Sequence, residues 1–274
     1  MHQMELCQLS LGCHTSSKRH IVILGSSIIR KLVIMTIKDL QPEIEEEVPC
    51  SACDRLSEYC VCEFITKIST KTKILILQHP QEPGVDIGTT PIIRTTFPKA
   101  IVRTGLSWPN LKKAVGAEAE NSRWGVLYLG SVHVENLSQE RALFAVDKKG
   151  APIETPGPIL KRLEGIVLLD GTWSQAKTLW WRNAWLLKLP RLVLRPTRRS
   201  LYDQIRKEPR KGCLSTVETV GEVITILEGR NDVQELLDKP LAELISRLLK
   251  QRKNRVTASP ARRDWRRGRG ALRR

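Results

Sequence analysis

The sequence is short of acid. Its 274 residues carry 45 Lys and Arg against 29 Asp and Glu, a formal net charge of +16. The shortage concentrates at the two ends: residues 251–274 hold ten Lys or Arg and one acid, Asp264, and the stretch up to Ile37 has only Glu5. Such an excess says nothing about fold, but it favours polyanionic partners through counterion release and steering. Nucleic acid comes first among these and an anionic membrane surface second.

Other absences narrow the field. No apolar run approaches the ~20 residues that span a bilayer, which excludes a membrane-spanning helix. No small-residue cleavage site follows Ile21 to Ile29, the one stretch with the look of a signal-peptide core, and Arg30 and Lys31 interrupt it. The expected location is cytoplasmic; a false upstream start, with Met35 as an internal one, and an organellar presequence are the alternatives. No internal repeat is present. Hydrophobic residues at 41% and charged residues at 27% are those of a folded soluble chain, so most of the length is expected to pack.

Four short apolar runs read as strands buried on both faces: Ile74 to Gln78, Val126 to Leu129, Ile166 to Leu169 and Leu192 to Leu194. Trp173, Ala176, Trp180, Ala184 and Leu187 step by three and four, the spacing of one apolar stripe on a helix, and Trp180, Trp181 and Trp185 read as packing residues. Val217 to Leu227 and Asp232 to Leu249 read as two further helices, the first closed near Gly229 and the second started or kinked by Pro240. Strand alternating with helix predicts an α/β fold with a largely parallel sheet and flanking helices. The chain divides into an amino-terminal extension (1–49), a central domain (50–250) and a basic tail expected to be disordered (251–274).

Four of seven cysteines form C-x2-C-x6-C-x-C at Cys50, Cys53, Cys60 and Cys62. Two close thiolate pairs can complete a tetrahedral zinc site that staples a segment too short for its own core. A reduced loop or a redox pair is the alternative in a cytosol that disfavours structural disulfides.

Ile166 to Lys177 reads as strand, turn at Gly171 and helix start, which puts Asp170 at the carboxyl end of a strand, where α/β sheets bind ligands. Asp170 and Thr172 are equally good helix caps, and Trp173 could be core.

Asp170-Gly-Thr-Trp, followed by Ser174-Gln-Ala176, resembles the Asp-x-Thr-Trp signature of the DTW-domain family, the tRNA-uridine aminocarboxypropyltransferases. The cysteine cluster resembles that family's amino-terminal one, Ile76-Leu-Gln-His-Pro-Gln-Glu82 its strand ending in His-Pro-x-Glu, and Arg210-Lys-Gly-Cys-Leu-Ser-Thr-Val-Glu218 its Ser-Thr-x-Glu segment. The elements keep the family's order from Cys50 to about Leu249. The stretch from Pro83 to Ile93 matches only loosely, through Gly88, Thr89 and Thr90.

The resemblance implies a SPOUT-like knotted region that binds S-adenosylmethionine, and transfer of its 3-amino-3-carboxypropyl group to a tRNA uridine with release of methylthioadenosine. It implies Asp170, Thr172 and Trp173 as catalytic residues, with Leu129, Gly130, Ser215, Thr216 and Glu218 completing the cofactor pocket. Asp170 would be general base or positioner of the uridine. Arg195, Arg198, Arg199, Arg206, Lys207, Arg210 and Lys211 make a basic stretch expected to carry RNA phosphates beside that pocket. The expected partner is tRNA rather than a membrane, and the oligomeric state stays open. A SPOUT-type RNA methyltransferase and a non-catalytic zinc-containing RNA-binding protein are the rival readings.

Overall fold

The computed structural model describes residues 48–205 and 213–257, with side chains through residue 254. Six strands form one sheet: β1 (Lys73–Gln78), β2 (Ile101–Thr104), β3 (Trp124–Leu127), β4 (Leu143–Val146), β5 (Gly165–Asp170) and β6 (Arg191–Leu194). Their order is β2-β1-β5-β3-β6-β4, parallel throughout except for the antiparallel pair β4 and β6. The four runs read from sequence are the central strands β1, β5, β3 and β6.

The central strands are continuous apolar runs because both of their faces are covered. Ile74 and Ile76 of β1 and Ile166 and Leu168 of β5 pack on one side with the inner faces of α1 (Thr90–Thr96), α5 (Thr216–Glu228) and α6 (Asp232–Thr257). Leu75, Leu77 and Val167 point the other way, onto α2 (Leu111–Val115), Trp124, Trp180 and Trp185. Trp124 lies across Gly165, its paired residue on β5, where an added Cβ would meet the indole at 2.7 Å. Helices on both sides of a mostly parallel sheet make the predicted α/β architecture, with α3 (Gly157–Arg162) leading into β5.

Several expectations are corrected in detail. The stripe from Trp173 to Leu187 is not one helix. α4 (Trp173–Arg182) ends before Asn183, and Ala184–Lys188 is a separate 3-10 turn. Buried Asn183 forces the break, because its amide caps Leu179 O (2.8 Å) while also bonding Leu106 O (3.0 Å) and Trp108 N (2.8 Å) across the chain. Leu187 is exposed in consequence, and Trp181 is a surface residue, 70% exposed.

Pro240 sits inside α6 without ending it, and α6 runs to Thr257, so helix rather than tail follows Lys250. Gln251 and Arg252 hold that extension down by bonding Glu58 and Ile205 O. Residues 1–47, 206–212 and 258–274, and with them Arg206, Lys207, Arg210, Lys211 and most of the basic tail, lie outside the described residues. No helix among the described residues is long and apolar enough to cross a membrane.

Candidate functional site

Asp170 ends β5 beside Gln78, the last residue of β1. Its carboxylate is 6% exposed and accepts three hydrogen bonds, Oδ2 from Gln78 Nε2 (3.0 Å) and Thr90 Oγ1 (2.7 Å), and Oδ1 from Thr216 Oγ1 (2.6 Å). Four elements thus meet at one side chain. A carboxylate offers about four lone-pair positions, so with respect to the described residues Oδ1 keeps one for a further donor.

The chain turns sharply after Asp170. Gly171 has φ +153, and a Cβ there would meet Gln175 at 2.9 Å. Thr172 then starts α4 in a capping box: its N–H donates to Gln175 Oε1 (2.6 Å) and its Oγ1 accepts from Gln175 N (3.3 Å). The turn after β1 is latched to this one, with His79 N donating to Asp170 O (3.0 Å) and Gln175 Nε2 to Gln81 Oε1 (3.1 Å). Ser215 begins α5 with a second capping box, paired with Glu218.

Glu218 is fully buried and accepts from Ser215 N (2.9 Å), Ser215 Oγ (2.6 Å), Ser200 Oγ (2.7 Å) and Leu201 N (2.7 Å). It fastens the segment after β6 to the start of α5. Above the carboxyl ends of β5, β3 and β6 these turns enclose a cavity of about 280 Å³, close to the lower bound of ~300 Å³ for small-molecule sites. Asp170, Thr172, Trp173, Ser215, Thr216 and Leu129 all line it. Tyr128, also on its wall, stacks on Trp180 with ring centroids 4.1 Å apart.

The four cysteines form a second cluster. All four sulfurs lie within 4.8 Å of one another, with Cys50 to Cys62 and Cys53 to Cys60 each at 3.8 Å. That separation is the edge of a tetrahedron with metal–sulfur arms of ~2.3 Å, so the donor set fits a metal ion. Backbone N–H groups of Ala52 and Cys53 point at the Cys50 sulfur and pull its thiol down to about 6. Asp54, the one described non-glycine residue at positive φ, closes the knuckle through Asp54 N to Cys50 O (2.7 Å). Tyr59 and Val61 anchor the knuckle in the main core, and Arg247 of α6 clamps it through Cys60 O and Glu63 (2.7 Å). Buried Arg55 reaches from the knuckle to Gly88 O, on the cavity wall.

The DTW domain model matches residues 47–249, most of the chain. The chain belongs to the DTW-domain family. Its sequence is 30% identical over 207 residues to a Mus musculus protein named tRNA-uridine aminocarboxypropyltransferase 2, covering 74% of this chain and 64% of that relative. A Drosophila melanogaster protein of the same name is 27% identical over 203 residues, 71% of this chain and 72% of its own length. An Arabidopsis thaliana protein named tRNA-uridine aminocarboxypropyltransferase A is 24% identical over 250 residues, 81% of this chain and 89% of its own. The chain spans less than two thirds of the mouse relative's length. No solved structure matches it.

Within this DTW domain, the residues singled out from sequence divide. Asp170, Thr172, Trp173, Leu129, Ser215 and Thr216 meet at the cavity, whereas Gly130 and Glu218 do not line it. Gln78, Thr90, Ser200 and Tyr202 are not among the site residues singled out from sequence. Tyr202 hydroxyl donates to Ile87 O, pinning the loosely matching stretch after Glu82 to the site. Of the basic stretch, Arg195 is clamped on Gln139 O (3.0 Å) and Arg141 O (3.2 Å), and Arg198 grips Asp238 with both terminal nitrogens. Arg199 is exposed.

Proposed function

We propose that this chain transfers the 3-amino-3-carboxypropyl group of S-adenosylmethionine to a uridine base of tRNA, releasing methylthioadenosine. One observation carries the reading: Asp170, its carboxylate fixed by Thr216 and two further donors, lines a cavity walled by the DTW turn and the Ser215-Thr216 turn. An acceptor held this rigidly is suited to a uridine ring N–H. The names borne by the family relatives agree with it.

In this reaction a uridine ring nitrogen attacks the chain carbon bonded to the sulfonium. The C–S bond breaks, its electron pair stays on sulfur, and the imide proton leaves the ring. Asp170 Oδ1 accepts the N–H hydrogen bond and positions the ring; when the proton is lost, the same oxygen is the nearest base. The three donors on the carboxylate fix its orientation, and near-attack geometry decides which of the three sulfonium carbons reacts. Two helix N-termini, those of α4 and α5, face the cavity with their positive ends and suit the carboxylate of the transferred group. Thr172 and Ser215 hold those ends in shape rather than performing chemistry. The resemblance further implies a knotted carboxyl-terminal region around the cofactor.

We assign zinc to Cys50, Cys53, Cys60 and Cys62, as a structural ion. In this reading Arg199 and the cations of residues 206–211 meet RNA phosphates, and Arg195 and Arg198 hold the segment in place.

The test is mass spectrometry of nucleosides from tRNA incubated with the protein and S-adenosylmethionine. The expected product is a uridine heavier by the aminocarboxypropyl group, lost with Asp170→Asn. A methylated nucleoside, or no altered uridine across several tRNA pools, overturns the reading.

A further inference from the structure

Trp181 is anomalous. A tryptophan 70% exposed leaves a large apolar surface in water, while Trp180 and Trp185 beside it are buried in the core below. Its exposure follows from the helix. Trp173, Lys177 and Trp181 stand at i, i+4 and i+8 on α4 and form one ridge, ~12 Å long at 1.5 Å per residue. All three are exposed, whereas Leu179 and Trp180 are the buried residues of the helix. The ridge begins at the site, since Trp173 lines the cavity.

Its charge is of one sign. Residues 171–202 contain seven Lys or Arg and no Asp or Glu. Lys177, Arg182 and Lys188 of this run are exposed on α4 and the turn after it, and none of the three is ion-paired with a described residue. An aromatic flanked by cations, on a run of chain free of acid that begins at a cavity receiving a base, has the make-up of a single-strand stacking platform.

We propose that the outer ridge of α4 is an RNA-binding surface, on which Trp181 stacks against an unpaired base of the substrate strand while Lys177 and Arg182 meet its phosphates. This rests on the tRNA reading above and extends it to residues outside the cavity. The occupant is RNA rather than a protein, because protein interfaces deplete lysine where this ridge centres on it.

The test measures binding of unfractionated tRNA to the full chain by filter retention, with S-adenosylmethionine binding followed by calorimetry and mass by sedimentation. Trp181→Ala is expected to weaken tRNA binding roughly 5-fold or more, with S-adenosylmethionine affinity and melting temperature unchanged. Trp181→Phe restores most of the affinity, because a ring still stacks. Lys177→Glu lowers affinity and reduces the slope of log affinity against log salt by about one unit.

Wild-type tRNA affinity in both Trp181→Ala and Lys177→Glu overturns the platform. So does a wild-type dimer that Trp181→Ala splits, since a second copy would then cover the ridge. If the wild type binds tRNA through this ridge but makes no modified uridine, the transferase reading fails and the platform stands. If the wild type modifies tRNA and both variants bind it normally, only the platform fails.

Discussion

Thr216 donates its hydroxyl to Asp170 Oδ1 at 2.6 Å, so the first turn of α5 and the end of β5 share one buried carboxylate 46 residues apart. Asp170→Asn replaces one acceptor oxygen by a donor. With the amide nitrogen at the Oδ1 position, the Thr216 hydroxyl can turn round and accept, but the incoming uridine N–H meets another N–H. The expected result is a loss of transfer of ~10²-fold or more with a smaller loss of stability, ~1–3 kcal/mol. Thr216→Val keeps the carboxylate and removes one of its three fixings, so its rate should fall less, about tenfold. Initial rates and denaturant midpoints check both; an Asp170→Asn rate above a tenth of wild type removes the carboxylate from the reaction.

Zinc content and melting temperature should fall together in a Cys50→Ser, Cys53→Ser variant. The knuckle carries Tyr59 and Val61 into the main core and holds α6 through Arg247, so loosening it uncovers apolar surface far from the sulfurs. Metal analysis and thermal melting measure the two, and unchanged values for both dismiss a structural metal.

Arg55 joins the knuckle to the cavity. It is 6% exposed, donates to Gly88 O, and lies beside the Cys53, Cys60 and Cys62 thiols. Four thiolates around a divalent ion leave a net double negative charge, and this guanidinium is the buried cation next to it. Arg55→Lys keeps the charge and loses the reach to Gly88, so zinc should stay while S-adenosylmethionine binding weakens. Arg55→Met should weaken both. Chelator competition and calorimetry separate these outcomes; equal S-adenosylmethionine affinity in all three proteins shows that Gly88 does not depend on the knuckle.

The parts of this molecule legible in its sequence are those with local signals. Central strands are continuous apolar runs, and the capping pairs Thr172 with Gln175 and Ser215 with Glu218 sit three residues apart. β2 was not legible because its apolar run stops after Ile101 and Val102, with Arg103 and Thr104 exposed; β4, Leu143 to Val146, is a buried apolar run of the same kind as β6 that the sequence reading passed over. The partners of Asp170 were hidden for a different reason. Gln78, Thr90 and Thr216 lie 92, 80 and 46 residues from it, and only the sheet order brings them together. Trp181 was misread because its ridge with Trp173 and the row of half-buried Ala176 and buried Trp180 both fit helical spacing; which row faces in is decided by the sheet beneath.

Glu222 gives the fold a pH signature. The side chain is 6% exposed on α5, and burial raises its carboxyl above the ordinary range, against the pull of Thr197 backbone and Arg198, with Glu218 adding to the rise. A carboxyl whose pKa is higher folded than unfolded, where it is ~4.3, takes up a proton on folding. The stabilisation it gives is complete below the unfolded value and is lost as pH rises through the folded one. Glu222→Gln cannot ionise and keeps its contribution at every pH. The melting temperature of Glu222→Gln relative to wild type should therefore rise as pH increases above about 4, with the increase falling where Glu222 titrates. A difference that stays flat, or that shrinks as pH rises, means the Arg198 attraction outweighs burial and the carboxylate is charged in the folded protein.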